Sequence, residues 1–68
     1  MQDQVIKSNG KQVTVRQVFA DAAVVEIEFE GEWFEDAAVQ VADALGVKID
    51  LSTERHNPRF SMVEYCVA

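Results

Sequence analysis

The sequence predicts a small α+β domain, in which an antiparallel β-sheet of four to five strands packs on one main α-helix at about residues 32–45. Three patterns predict this fold: an Asn9-Gly10 pair between two apolar-containing runs, alternation of apolar and acidic residues over 23–30, and apolar residues at helical spacing over 33–45. A chain of 68 residues has room for one apolar core, so we expect a single domain over residues 1–68.

The Asn9-Gly10 pair predicts a two-residue β-hairpin turn, because asparagine and glycine tolerate the positive φ angles that such turns need. In this register Ile6 lies opposite Val13, and Gln4 lies opposite Val15. The chain is therefore expected to reverse direction at residues 9–10.

Residues 11–22 carry two conflicting patterns. Apolar residues recur there at helical spacing, and the run 14–17 (Thr-Val-Arg-Gln) has the form of an N-terminal capping box. Val13, Val15 and Val18 also suit a strand. We favour a short second helix near residues 15–22 and keep the strand as the alternative.

Residues 23–30 form the clearest strand pattern, and Gly31 is expected to end the strand. The apolar members share one face, which we expect to point toward the core: Val25, Ile27 and Phe29. The acidic members share the opposite face: Glu26, Glu28 and Glu30. The strand therefore presents a row of three carboxylates to solvent.

The main helix is predicted from a broad apolar stripe, made of Phe34, Ala37, Ala38, Val41, Ala42 and Leu45. Three acidic residues are expected in its first turn, where they offset the positive end of the helix dipole: Glu32, Glu35 and Asp36. Gly46 follows the last apolar residue as a C-terminal cap. Val39 lies among the polar residues of the helix and is a candidate contact point.

The last third of the chain predicts two further strands. Alternation over residues 47–51 indicates a short strand, residues 52–58 read as a polar loop, and residues 60–67 read as a strand with apolar residues on both faces. A strand of this kind is either central in its sheet or covered by another chain. Because nearly half of this short chain is hydrophobic (49%), we expect a homodimer or a tight complex.

The charge of the chain is unevenly distributed. The formal net charge is −6, and residues 21–43 carry eight acidic residues and no basic one, whereas the two ends are basic and neutral. A field of this kind attracts basic partners and opposes contact with nucleic acid or with anionic membranes. We therefore expect a protein partner with a basic surface, no direct nucleic acid and no membrane.

No catalytic, cofactor or metal motif accompanies the acidic residues, so the sequence predicts a protein that is not an enzyme and needs no cofactor. Zinc requires three or four His or Cys ligands, and the chain contains only His56 and Cys66. The single cysteine and the absence of a signal-peptide pattern at the first residues predict a cytoplasmic location.

The predicted function is binding of a macromolecular partner through an acidic face. Carboxylates two residues apart on a strand recur every ~6.6 Å, so the row suits a basic groove that normally holds nucleic acid. The predicted partner-binding residues are Glu26, Glu28, Glu30, Glu32, Glu35, Asp36 and Val39. In size and composition the chain resembles phage-type inhibitors of nucleic-acid-handling complexes, including anti-CRISPR proteins and nucleic-acid mimics, which act in the host cytoplasm. The alternative function of the same acidic face is to keep the strand soluble.

Two other classes of function remain as alternatives. Residues 41–47 are similar to the first helix and turn of helix-turn-helix proteins, with Arg55, His56, Asn57 and Arg59 as phosphate contacts of a small DNA-binding regulator. The other alternative is a structural subunit that dimerises through the two-faced strand at residues 60–67.

Overall fold

A computed structural model describes residues 3–68, in which five antiparallel strands form one sheet and an α-helix covers one of its faces. The elements are β1 (Gln4–Ser8), β2 (Lys11–Ala20), β3 (Val24–Gly31), α1 (Glu35–Leu45), β4 (Ile49–Asn57) and β5 (Met62–Val67), with a 3₁₀ turn at Pro58–Phe60. The strand order is β1-β2-β3-β5-β4. The predicted α+β fold with one main helix is confirmed.

The β1–β2 hairpin has the predicted turn and register. Asn9 and Gly10 have φ angles of 52° and 78°, as a type I′ turn requires. Ile6 pairs with Val13, and Gln4 pairs with Val15. The short-range signal in the sequence was therefore sufficient to define this hairpin.

The predicted second helix near residues 15–22 is wrong, because residues 11–20 form β2 and pair with both β1 and β3. A β-bulge between Val15 and Gln17 shifts the register by one residue. The bulge brings Val18 back to the face that holds Val13 and Val15, so the inward positions are separated by three residues. The three-residue interval between Val15 and Val18 therefore resembles the spacing of apolar residues in a helix, although both residues lie in a strand.

Helix α1 begins at Glu35, three residues later than predicted, and Phe34 occupies the N-cap position without a side-chain cap. Glu35 and Asp36 lie in the first turn, whereas Glu32 precedes the helix. Gly46 ends the helix in the left-handed conformation (φ 73°), and its N–H donates to the carbonyls of Ala42 and Asp43. The helix packs its apolar stripe on the sheet, and the buried core consists of Ile6, Val13, Val15, Val25, Ile27, Phe34, Ala37, Ala38, Val41, Val63 and Tyr65.

The predicted polar loop at residues 52–58 is also wrong, because residues 52–57 belong to β4. This strand lies at the edge of the sheet and has a bulge between Asp50 and Arg55, so its residues show little apolar alternation. Strand β5 begins at Met62, and Phe60 lies in the 3₁₀ turn with 62% of its surface exposed. Because β5 lies between β3 and β4, it is a central strand.

Asp21 closes the turn between β2 and β3. One oxygen of its carboxylate accepts hydrogen bonds from the N–H groups of Ala23 (2.7 Å) and Val24 (2.8 Å). These backbone hydrogen bonds hold the pKa of Asp21 below its ordinary value. One of the eight acidic residues thus has a structural role in a turn.

Over residues 3–68, no helix has the length and apolar character needed to span a membrane.

Candidate functional site

The sheet face opposite α1, here called the open face, carries the predicted acidic row. Val25 and Ile27 are buried beneath the helix, so the alternating residues of β3 point to the other side of the sheet. Glu26, Glu28 and Glu30 lie on this face, as predicted. Within residues 3–68 no helix covers this face, and Glu26 and Glu30 are exposed whereas Glu28 is half-buried.

Strand pairing aligns the open-face residues in rows across the sheet. One row contains Phe19 of β2, Glu26 of β3, Glu64 of β5 and Arg55 of β4. Glu26 and Glu64 are therefore directly opposite on neighbouring strands. The next row consists of Gln17, Glu28, Met62 and Asn57. Carboxylates thus lie on two neighbouring strands of the open face, β3 and β5.

Glu64 was missed by the sequence reasoning because it lies in a different strand, far along the chain. Its one signal in the sequence is that it interrupts the apolar residues of β5, between Met62 and Cys66 on the same face. Only the pairing of β3 with β5 shows that Glu64 extends the acidic row. The acidic surface of the open face is therefore defined by Glu26, Glu28, Glu30 and Glu64.

The acidic surface is only partly neutralised by neighbouring cations. Arg16 forms an ion pair with Glu30 at 3.5 Å, with both side chains largely exposed. Within the described residues, no Lys or Arg nitrogen lies within 4.0 Å of the carboxylates of Glu26, Glu28 or Glu64. Directly opposed like charges destabilise an antiparallel pair. Glu26 and Glu64 therefore repel each other in the free protein, and Arg55, which lies opposite Glu64 on β4, forms no ion pair with it within 4.0 Å among the described residues.

The remaining predicted site residues lie apart from the acidic surface. Glu32 is exposed in the connection between β3 and α1, and Glu35 and Asp36 begin the helix. Asp36 accepts a hydrogen bond from Ser8 Oγ at 2.8 Å, and Val39 is 40% exposed on the helix. The predicted set is thus divided between the open face and the helix layer, and the acids of the first helical turn have a structural role in offsetting the helix dipole.

A chain of hydrogen bonds joins the helix connection to the β4 edge. Trp33 Nε1 donates to Tyr65 Oη at 2.6 Å, the Tyr65 hydroxyl donates to the Glu54 carboxylate, and the second Glu54 oxygen lies 2.9 Å from His56 Nε2. The Phe29 ring packs on Trp33, with ring centroids 5.1 Å apart. His56, predicted in a loop, lies in β4, where it pairs with Val63 of β5 and its ring stands edge-on to the Phe29 ring with centroids 6.4 Å apart.

Tyr65 is the buried member of this chain, with 0% of its surface exposed. Burial, together with the hydrogen bond to Glu54, raises the pKa of Tyr65 far above its ordinary value. A hydroxyl held in this way is a structural donor that a substrate does not reach. In the part of the chain that the structure describes, no three His, Cys, Asp or Glu side chains converge as a metal site.

The fold and the open face define a small α+β domain with an acidic, uncovered sheet. No family model, curated protein or solved structure matches the chain.

The repulsion between Glu26 and Glu64 on the open face leads to a prediction about stability. Glu26→Gln removes the repulsion from Glu64, so the free energy of unfolding is expected to rise by roughly 0.2–1 kcal/mol. Urea unfolding, followed by the fluorescence of the one tryptophan, measures the change. Glu32→Gln is the matched control, because it changes the net charge equally at an exposed connection. If the urea midpoint of Glu26→Gln is no higher than that of Glu32→Gln, the assigned repulsion between Glu26 and Glu64 is contradicted.

Proposed function

We propose that this protein is a non-enzymatic binding protein whose acidic surface docks on the basic surface of a macromolecular partner. The observation that carries the proposal is the direct pairing of Glu26 with Glu64 at the centre of an uncovered sheet face. The two opposed carboxylates repel each other in the free chain, whereas the Lys or Arg side chains of a partner would attract both of them.

The spacing of the carboxylates supports a partner that holds nucleic acid. Glu26 and Glu64 lie on strands about 4.8 Å apart, and Glu28 and Glu30 follow Glu26 at steps of ~6.6 Å along β3. Such a grid offers negative charges at intervals that Lys and Arg side chains of a nucleic-acid groove can contact. We therefore propose an inhibitor of a nucleic-acid-handling complex, of the phage type that includes anti-CRISPR proteins.

The residues around the acidic surface are suited to a protein partner. Phe19 is 47% exposed and lies beside Glu26, and Met62 lies beside Glu28. A shallow depression next to them is lined in part by Arg55 and Asn57. Apolar side chains among charges add buried area to an interface whose orientation is set by electrostatic complementarity.

The two alternative functions have less support. A helix-turn-helix reader requires a recognition helix, but after Gly46 the chain enters β4, and α1 is the one α-helix among residues 3–68. Dimerisation through β5 requires a free strand edge, but both edges of β5 are paired, with β3 and with β4.

The proposed function is tested by capture of nucleic-acid-binding proteins. Cellular proteins that bind to immobilised duplex DNA are first isolated. They are then applied at low salt to the immobilised chain. We expect capture that duplex DNA reverses and that falls with rising salt, because the contacts are mainly electrostatic. Glu26→Gln/Glu64→Gln is expected to weaken capture about tenfold.

The matched control is Glu35→Gln/Asp36→Asn, which removes the same charge from the helix layer. Capture by this variant is expected to equal that of the unchanged chain. Equal losses in the two double variants would show a response to net charge alone, and unchanged capture by Glu26→Gln/Glu64→Gln would overturn the proposal.

A further inference from the structure

Strand β1 is an edge strand with a regular backbone. All five of its residues pair with β2, and within residues 3–68 no strand pairs with its outer side. The opposite edge of the sheet is different, because β4 has a bulge between Asp50 and Arg55, and Asp50 hydrogen-bonds to Ser52 within that strand. Bulges protect an edge from pairing with another chain, and β1 pairs with β2 without a bulge.

The hairpin geometry determines which backbone groups of β1 point outward. In a type I′ hairpin the residues that flank the turn, Ser8 and Lys11, exchange hydrogen bonds. Hydrogen-bonded and non-hydrogen-bonded pairs alternate along antiparallel strands, so Ile6 and Gln4 also bond to β2. The N–H and C=O groups of Val5 and Lys7 therefore point away from the sheet, and Asp3, the residue before β1, follows at the same two-residue interval in the sequence.

The same three residues have a self-complementary pattern of side chains. Asp3, Val5 and Lys7 alternate along the chain and are all exposed, and half of the surface of Val5 is accessible. If a second copy runs antiparallel with Val5 opposite its own Val5, then Asp3 of each copy lies opposite Lys7 of the other. Opposite charges placed directly across a strand pair are stabilising.

We propose that two copies of this chain pair through β1, in the register that places Val5 opposite Val5 and Asp3 opposite Lys7. In this register the outward backbone groups can form hydrogen bonds with the second copy. The same residues also place opposite charges across the strand pair. Residues 3, 5 and 7 of each copy exchange backbone hydrogen bonds with residues 7, 5 and 3 of the other. The five-stranded sheet continues across the two-fold axis into the second sheet.

An apolar groove supports the second copy as the occupant of this edge. On the helix side, Ile6 of β1 lines a groove together with Val41, Ala44 and Leu45 of α1. Leu45 is 42% exposed there. Because the groove borders the residues that pair at the two-fold axis, the second copy would shield part of this apolar surface as the strands join.

The dimer would place its acidic surfaces on one side. A two-fold axis perpendicular to a continuous sheet leaves both open faces on the same side, and the two β3 strands are separated by five strand spacings, about 24 Å. The dimer proposal does not rest on the proposed function, but it would present a partner with two acidic surfaces.

A charge-exchange cycle tests the register, with the mass measured by sedimentation equilibrium. The chain of 7.6 kDa is expected to sediment as a dimer at high concentration. Asp3→Lys and Lys7→Asp are each expected to weaken dimerisation by about tenfold, because two opposite-charge pairs become like-charge pairs. The double variant Asp3→Lys/Lys7→Asp restores the pairs and is expected to recover the original dissociation constant. A monomer at all concentrations up to about 1 mM, or no recovery in the double variant, would overturn the proposal.

A backbone variant tests the edge independently. Val5→Pro removes an N–H group that points away from β2, and proline is tolerated on the free side of an edge strand. We expect a folded monomer. In the unchanged chain, amide exchange at Val5 and Lys7 is expected to slow as the concentration rises, whereas the exchange at Ile6 stays slow throughout. Persistence of the dimer in a folded Val5→Pro variant, or exchange at Val5 that does not depend on concentration, would contradict pairing through β1.

Discussion

Ala38→Leu is expected to lower the free energy of unfolding by about 1–3 kcal/mol. Ala38 is completely buried in the core between α1 and the sheet, with Ala37 beside it. Alanine allows the helix to approach the sheet closely, so a larger side chain forces the helix away from the strands beneath it. A domain of this size is stabilised by roughly 3–10 kcal/mol in total, so the loss is a large fraction of its stability.

Ala44→Leu is the matched control for this prediction. Ala44 lies on the same helix and is exposed, and leucine is nearly as good a helix former as alanine. Its free energy of unfolding is expected to stay within about 0.5 kcal/mol of the original value. Urea unfolding at low protein concentration, followed by Trp33 fluorescence, compares the two variants. Equal stabilities for Ala38→Leu and Ala44→Leu would show that the helix and sheet are not closely packed.

Alkaline pH is expected to destabilise the protein through Tyr65. The pKa of this hydroxyl is raised in the folded state, whereas in the unfolded chain it is about 10. Above pH ~10, the unfolded chain releases the proton that the native state retains, so the free energy of unfolding falls by up to about 1.4 kcal/mol per pH unit. The stabilising contribution is therefore fully present below pH ~10 and is lost as the pH rises toward the native pKa.

Tyr65 is the only tyrosine, so the ultraviolet absorbance of tyrosinate reports its ionisation directly. We expect ionisation to coincide with unfolding at alkaline pH. Tyr65→Phe should lack the additional alkaline loss of stability, although it begins less stable, because Trp33 Nε1 and Glu54 both lose a partner. Ionisation near pH ~10 in the folded protein would contradict the buried, hydrogen-bonded hydroxyl.

Local patterns in the sequence were reliable where one residue pair or one strong period determines the structure. Asn9-Gly10 predicted the first hairpin with its register, and the alternation around Val25 and Ile27 predicted which face of β3 is buried. The apolar stripe and Gly46 predicted α1 and its end. Each of these signals depends on residues that are close together in the sequence, so the local sequence is enough to interpret it.

The errors occurred where distant pairing overrides local preference. Residues 15–20 have a spacing that fits a helix, but a bulge near Arg16 and hydrogen bonds to two neighbouring strands make them part of β2. Residues 52–57 appear to be a loop because an edge strand with a bulge does not alternate regularly. In both regions the sheet supplies hydrogen-bond partners that are remote in the sequence.

The sequence by itself determined that this is a small acidic α+β domain and that three glutamates share one face of a strand. Only the tertiary structure decided which acids lie together. It placed Glu64 opposite Glu26, and by packing α1 on the other face of the sheet it separated Glu35 and Asp36 from these two carboxylates. The physical reason is that alternation along a strand is set by the local backbone, whereas the neighbour of each side chain across the sheet depends on the strand order β1-β2-β3-β5-β4, which long-range packing selects.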